Sequence, residues 1–214
     1  RLLIIEQKDS ASKVLAKKLL TTRLGEGVDK NKYLKKEAID RVMSALKSFK
    51  KEINKFNVNK VKVIGTSALR DVNNSKELIK LTKKQLDLNI NIVSGIKEAR
   101  LTYKGVSTDL SYEKFMIIDI GGGSTEFIWK KDDFNFKSLN LGAVRLTERF
   151  IENPKKSVSK KEYENMEKFT NKLLKKNLKN NIKKMQAVGV GGTITTLGAV
   201  DLKIEKYDSK KIHQ

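Results

Sequence analysis

The sequence predicts an α/β fold in two domains, and three observations carry that prediction. Apolar runs with strand character alternate with helical patterns along the whole chain. The most apolar run, residues 115–118, is short and unbroken, as strands buried on both faces are. The length of 214 residues, 38% of them hydrophobic, suffices for one or two domains at ~100–200 residues each.

The elements follow in order. Arg1-Leu2-Leu3-Ile4-Ile5 reads as a strand, and no initiator Met or turn stands before it, so residues N-terminal to Arg1 are expected to be missing. Residues 13–20 are mildly apolar and lead into Arg23-Leu24-Gly25-Glu26-Gly27, a glycine-punctuated loop. Ile39, Val42, Leu46, Phe49, Ile53 and Phe56 recur at steps of three and four, the stripe of an amphipathic helix that begins near Lys35. Residues 61–64 read as a strand ending at Gly65, and Ser75 is placed to cap a helix carrying Leu78, Ile79 and Leu86. Residues 90–93 read as a strand, Ser94-Gly95 as a turn and 97–106 as a helix. After the strand at 115–118 comes a glycine turn, and Glu126-Phe127-Ile128-Trp129 alternates polar and apolar, so an antiparallel strand follows. A further strand is expected at 136–141 and a helix at 144–151, stopped by Pro154, the only proline. Ser159 with Glu162 has the spacing of a capping box for a long helix to about residue 180. Residues 185–190 form a last strand and 194–200 a short helix. The domain boundary is expected in the 107–114 loop, which gives domains 1–114 and 115–214.

Composition narrows the chemistry. Lys plus Arg number 46 against 25 Asp plus Glu, a net charge of +21. The lysines are spread over nearly every helix, with no Arg-rich block and no aromatic-interleaved patch. That describes a solvated surface better than a nucleic-acid stripe, though it would concentrate a polyanion. No apolar stretch approaches the ~18 residues of a membrane span, and the apolar start is too short for a signal-peptide core. The absence of cysteine excludes disulfides, thiolate metal sites and a Cys nucleophile. A single histidine, His213, is expected at the surface and argues against a His-rich metal site or a Ser-His-Asp triad. Oxygen-ligand, Mg²⁺-type chemistry in a cytoplasmic protein is what this leaves.

Four segments carry candidate chemistry. In Asp119-Ile120-Gly121-Gly122-Gly123-Ser124-Thr125-Glu126, three glycines remove every Cβ from a turn, so that backbone N–H groups can close on an anion. Ser124 and Thr125 add hydroxyls, and Asp119 offers a carboxylate to hydrated Mg²⁺. The segment lacks the Gly-Lys-Ser/Thr of a Walker loop and runs into a strand, where a dinucleotide-binding loop would open a helix. A plain hairpin turn is the alternative, but three glycines cost backbone entropy that such a turn does not require. Val188-Gly189-Val190-Gly191-Gly192-Thr193 either aims helix amides at an anion or is a tight strand-to-helix connection. In Gly65-Thr66-Ser67-Ala68-Leu69-Arg70, Thr66 and Ser67 can donate to phosphate and Arg70 can pair with it bidentately; otherwise this is a capped helix with a surface Arg. Glu98, in Ser94-Gly95-Ile96-Lys97-Glu98-Ala99-Arg100, is an ordinary helix-start Glu or the carboxylate that activates water in phosphoanhydride hydrolysis. Two glycine-rich turns of this type in one chain suggest a ligand with several phosphates.

These segments, together with Arg1-Leu2-Leu3, Arg23-Leu24-Gly25-Glu26-Gly27-Val28, Leu101 and Leu141-Gly142-Ala143-Val144-Arg145-Leu146-Thr147, stand in an order that resembles the exopolyphosphatase / guanosine pentaphosphate phosphatase family. That family belongs to the actin, sugar-kinase and heat-shock-chaperone ATPase superfamily, and the resemblance covers essentially the whole chain. It implies a ribonuclease H-like (actin-like ATPase) fold: two similar domains with the active site in the cleft between them. It implies Glu98 as catalytic base, and Asp119 and Glu126 as acids serving metal and catalysis. Gly121, Gly122, Gly123, Ser124 and Thr125 match the main phosphate loop. Arg1 and Arg70, with Thr66, Ser67 and Arg145, become further phosphate ligands, and Gly191, Gly192 and Thr193 face the same cleft. Two departures stand out: an Asp-Ile-Gly-Ser-Asn-Ser-like loop precedes the equivalent of Arg1 in the family, and the family's second domain continues past the equivalent of Gln214. Both ends are therefore expected to be truncated. Lys97 replaces an acid found in many relatives, which should keep Glu98 ionised.

The expected activity is Mg²⁺-dependent hydrolysis of terminal phosphoanhydride bonds in inorganic polyphosphate, with release of orthophosphate. Hydrolysis of guanosine pentaphosphate is the enzymatic alternative, and a non-catalytic polyphosphate- or nucleotide-binding module the alternative outside catalysis. Phosphotransfer of the sugar-kinase kind fits the fold but fits Glu98 and the motif order less well. Nucleic-acid binding ranks last. No membrane partner is expected, and a homodimer is compatible with the sequence.

Overall fold

The computed structural model describes every residue except 10, 109, 111–114, 131–132, 179–184, 206–207 and 213–214, so His213 lies outside the described residues. The chain forms two compact units, Arg1–Ser94 and Gly95–Gln214.

The first unit opens with an antiparallel hairpin of β1 (Leu2–Lys8) and β2 (Ala11–Lys18), with a register shift between Ile4 and Ile5. The shift explains why β2 did not read as a strand. Ile4 pairs with Ala16 and Ile5 with Val14, so Leu15 is the extra residue and breaks the period of two. After α1 (Val28–Asn31), α2 (Lys36–Lys55) buries Ile39, Met43, Phe49 and Ile53, largely the stripe the periodicity predicts. β3 (Val63–Gly65) leads into α3 (Ser67–Arg70) and α4 (Ser75–Leu86), and pairs in parallel with β4 (Ile90–Ile92). Leu78 of α4 packs into one core with Ile39, Met43 and Leu69. Ser75 is not the cap of α4. Asn74 holds that position, and its side chain instead accepts from Leu34 N at 2.8 Å and donates to Leu34 O at 3.1 Å.

The second unit contains α5 (Gly95–Ser107), β5 (Phe115–Ile120), β6 (Thr125–Lys130), β7 (Phe134–Leu139), α6 (Ala143–Phe150), α7 (Lys160–Asn177), β8 (Gln186–Val190), α8 (Gly192–Asp201) and α9 (Ser209–Ile212). Its sheet has the order β7-β6-β5-β8, with β5 antiparallel to β6 and parallel to β8. β5 is buried on both faces. Phe115 and Ile117 pack with Ile128 and with Ala99 of α5. Met116 packs on the other side with Phe127, Leu139 and Leu141, against Phe169, Leu173 and Leu174 of α7.

The units divide at Ser94/Gly95, ahead of the boundary expected at 107–114. Side-chain packing is the reason: Ala99 is buried against the second sheet, and Tyr103 stacks on Phe115 with ring centroids 5.2 Å apart. β7 begins two residues earlier than expected and ends at Leu139, which frees the following residues to lead into α6. The capping box of α7 forms, with Glu162 N donating to the Ser159 hydroxyl at 3.3 Å and Ser159 N donating to Glu162 Oε2 at 2.8 Å. Among the described residues, no helix is long and apolar enough to cross a membrane.

Candidate active site

The period of two in the second sheet builds a polar row at the end of an apolar face. Asp119 on β5 stands directly opposite Glu126 on β6, which stands opposite Ser138 on β7, and Val190 on β8 flanks Asp119. Directly paired residues share a face, so the two carboxylates are neighbours on one side of the sheet. It is the side that carries Phe115, Ile117, Ile128 and Phe136, under α5. Both carboxylates are half-buried, and the Ser138 hydroxyl donates to Glu126 Oε1 at 2.8 Å. Glu98 lies in the first turn of α5, the helix that covers this face, one residue before buried Ala99.

The turn between β5 and β6 is held from below by the start of α6. Ala143 N donates to Gly121 O at 3.0 Å and Arg145 N to Gly122 O at 3.0 Å. The Arg145 side chain adds Nε to Gly123 O at 2.6 Å. Gly121 N donates to Ser124 O at 2.9 Å and closes the turn, while the Thr125 hydroxyl donates to Leu141 O. Gly142 makes this approach feasible. A Cβ there would lie 2.3 Å from Gly122 O, so the backbone of 142 rests directly on the turn.

The second glycine turn joins β8 to α8 and abuts the same carboxylate. Gly191 has φ 92°, in the left-handed region, and a Cβ on it would stand 2.6 Å from Asp119 Oδ1. Gly191 is also the N-cap of α8 and has no side chain with which to cap it. Asp119 therefore sits between the strand carrying the first turn and the backbone of the second.

The remaining predicted residues belong to the first unit. Thr66 precedes α3 without capping it through its side chain, and exposed Arg70 donates from Nη1 to Val93 O at 2.8 Å, tying α3 to the end of β4. Arg1 is exposed ahead of β1. The structure thus gathers Asp119, Glu126, residues 121–125, Arg145 and residues 191–193 in one unit, with Glu98 on the covering helix, and keeps Thr66, Ser67 and Arg70 together in the other. Sequence reasoning missed Gly142 and Ser138. Their roles depend on strands and turns distant in the chain, and only the glycine before the helix at 143 left any local trace.

Among the described residues, no three His, Cys, Asp or Glu side chains gather as a metal cluster. A pair of carboxylates suits Mg²⁺ nonetheless, because that ion commonly takes one or two protein carboxylates and completes its shell with water and substrate phosphate. Asp119 and Glu126 are the residues fit to hold it.

A profile of the Ppx/GppA phosphatase family matches residues 3–214. The chain belongs to that family. It is 41% identical to a bifunctional 3-dehydroquinate synthase/phosphatase of Fusobacterium nucleatum, over all of this chain and 34% of that protein. It is 29% identical to exopolyphosphatase 2 of Mycobacterium tuberculosis, over 89% of this chain and 62% of the relative. The chain thus spans less than two thirds of either relative. The crystal structure of an exopolyphosphatase from Cytophaga hutchinsonii superimposes with a TM-score of 0.86 at 28% identity, covering 98% of this chain and 69% of that one. With membership of the Ppx/GppA family comes the actin-like ATPase fold.

Proposed function

We propose that this Ppx/GppA chain serves an exopolyphosphatase, which removes terminal orthophosphate from inorganic polyphosphate. One observation carries the reading: a half-buried carboxylate, Asp119, stands opposite Glu126 on the strand that leads into one glycine turn, and the backbone of the other turn lies against it. The turn amides of Gly122, Gly123 and Ser124, within the loop 121–125, and the start of α8 bind phosphate oxygens. Thr66, Ser67, Arg70 and Arg1 of the first unit are proposed as further phosphate ligands. Glu98 accepts a proton from a water aligned with the terminal phosphorus. That water forms the new P–O bond as the bridging P–O bond breaks, and the negative charge of the departing chain is met by the surrounding donors. Asp119 and Glu126 would hold Mg²⁺, which neutralises phosphate charge when bound.

The net charge of +21 would draw in either polyanionic substrate. The test is orthophosphate release by the intact protein from long-chain polyphosphate and from guanosine pentaphosphate, with and without Mg²⁺. Glu98→Gln should lower release by ~10²–10⁴-fold and leave polyphosphate binding intact. Normal turnover by Glu98→Gln removes the base assignment, and release from pentaphosphate alone reverses the substrate.

A further inference from the structure

We propose that Arg145 is a positioning residue: together with the amide of Ala143, it turns the peptides of the glycine loop so that their N–H groups face the phosphate. The proposal rests on the phosphate-binding role given to that loop and concerns what makes the loop competent.

The geometry lies in the loop's carbonyls. Gly121 O, Gly122 O and Gly123 O are each engaged from the α6 side, by Ala143 N, Arg145 N and Arg145 Nε in turn. No cis peptide occurs among the described residues, and in a trans peptide the carbonyl and the following N–H point in opposite directions. Drawing these carbonyls towards α6 therefore directs the N–H groups of Gly122, Gly123 and Ser124 to the opposite side. Successive amides aimed one way form an anion-binding concavity. The glycines do not impose this orientation themselves. Gly121, Gly122 and Gly123 are absent from the positive-φ residues, and free glycine peptides would flip readily.

The clamp has its own anchor. Arg149, one turn further along α6, places its guanidinium 4.2 Å over the Phe169 ring of α7, and Phe150 packs on the same ring at 5.3 Å. The start of α6 is thus the end of a helix fixed at its far side, and it can hold the loop without a ligand. Arg145 here serves the loop, and no contact with substrate is needed to explain it.

Arg145→Met removes the side-chain donor, and Arg145→Lys keeps the charge without an N–H at the Nε position. In the full chain, the backbone amide signals of Gly122, Gly123 and Ser124 are followed by NMR as Mg²⁺ and tripolyphosphate are added. Activity and melting temperature are measured in parallel. The wild-type amides should shift on addition. Both variants keep the backbone donors to Gly121 O and Gly122 O, so the Ser124 shift alone should disappear, and kcat/KM should fall by ~10²-fold, mainly in kcat, with a near-native melting temperature. A wild-type Ser124 shift in Arg145→Met, or wild-type kcat/KM in Arg145→Lys, would overturn the proposal. If the wild type neither shifts nor releases phosphate, the hydrolase reading fails. The clamp is then decided by hydrogen exchange at the Ser124 amide: faster in Arg145→Met if it holds, unchanged if it does not.

Discussion

The two glycine turns of the second unit have similar composition and opposite construction. At 121–124 a Cβ on Gly123 would meet nothing nearer than 3.7 Å, one on Gly121 or Gly122 would meet an atom at 3.3 Å, and the tightest approach belongs to Gly142, outside the turn. At 191–193 the obligatory glycine lies inside the turn. Gly191 combines φ 92° with a 2.6 Å approach to Asp119 Oδ1, while a Cβ on its neighbour Gly192 would meet nothing within 4 Å. A glycine the fold does not need is a stronger sign of a ligand than one it cannot do without. By that criterion Gly142 and Gly191 belong to the scaffold, and Gly123 and Gly192 are the positions at which the proposed phosphate binding is to be tested.

Substitutions should separate the two classes, with the scaffold positions giving the largest changes. Gly142→Ala forces a methyl into the Gly122 peptide, and neither backbone can yield cheaply. A loss of about 3 kcal/mol is expected in urea denaturation, with the activity lost as well. A stable, active Gly142→Ala protein would show that the turn is not seated on α6 as described. Gly191→Ala should cost about 1–3 kcal/mol, because φ 92° with ψ 172° is a conformation almost reserved for glycine, while the Asp119 side chain can swing aside. Its activity should fall further than its stability, since Asp119 moves when the methyl enters. Equal losses in both would detach Asp119 from the chemistry.

This division sets the limit of what the sequence could reveal. The strand read at 126–129, most of the stripe of α2 and the Ser159–Glu162 box rest on local patterns and spacings, and all three elements formed, although burial along β6 does not strictly alternate. The pairing of Asp119 with Glu126 was legible in outline, because two strands flank one short turn. The assignment of α5 to the second unit was not legible: Ala99 and Tyr103 would suit either sheet, and no local pattern records which one they meet. Gly142 is the same case at a single residue. Its neighbour Gly122 lies twenty positions away, a separation at which composition carries no information.

The ligand-side glycines should give the inverse profile. Gly123→Ala and Gly192→Ala are expected to leave stability unchanged or to raise it by about 0.5 kcal/mol, through a less flexible unfolded chain. Polyphosphate affinity should fall in both, measured by calorimetry in the presence of Mg²⁺. Unaltered affinity in Gly192→Ala would leave the 121–124 turn as the only phosphate turn of this unit.

The smallest effect belongs to a helix start that has no need of a ligand. The capping box of α7 gives acceptors to the Ser159 and Glu162 amides, while α8 begins at Gly191 with no side chain to do so. The Glu162 carboxyl is held below its ordinary value, first by the Ser159 hydroxyl and then by the N–H groups of Glu152 and Ser159. A lowered carboxyl contributes stability that is complete above the unfolded-state value and is lost as pH falls through the folded-state value. The melting temperature of Glu162→Gln should therefore lie slightly below wild type at neutral pH, and the gap should close as the solution is acidified past the ordinary glutamate range. Tripolyphosphate should raise both proteins' melting temperatures equally, because the turn at α8 is untouched by the substitution. A gap that widens on acidification would contradict the sign, and unequal ligand shifts would mean that α7, not α8, receives the phosphate.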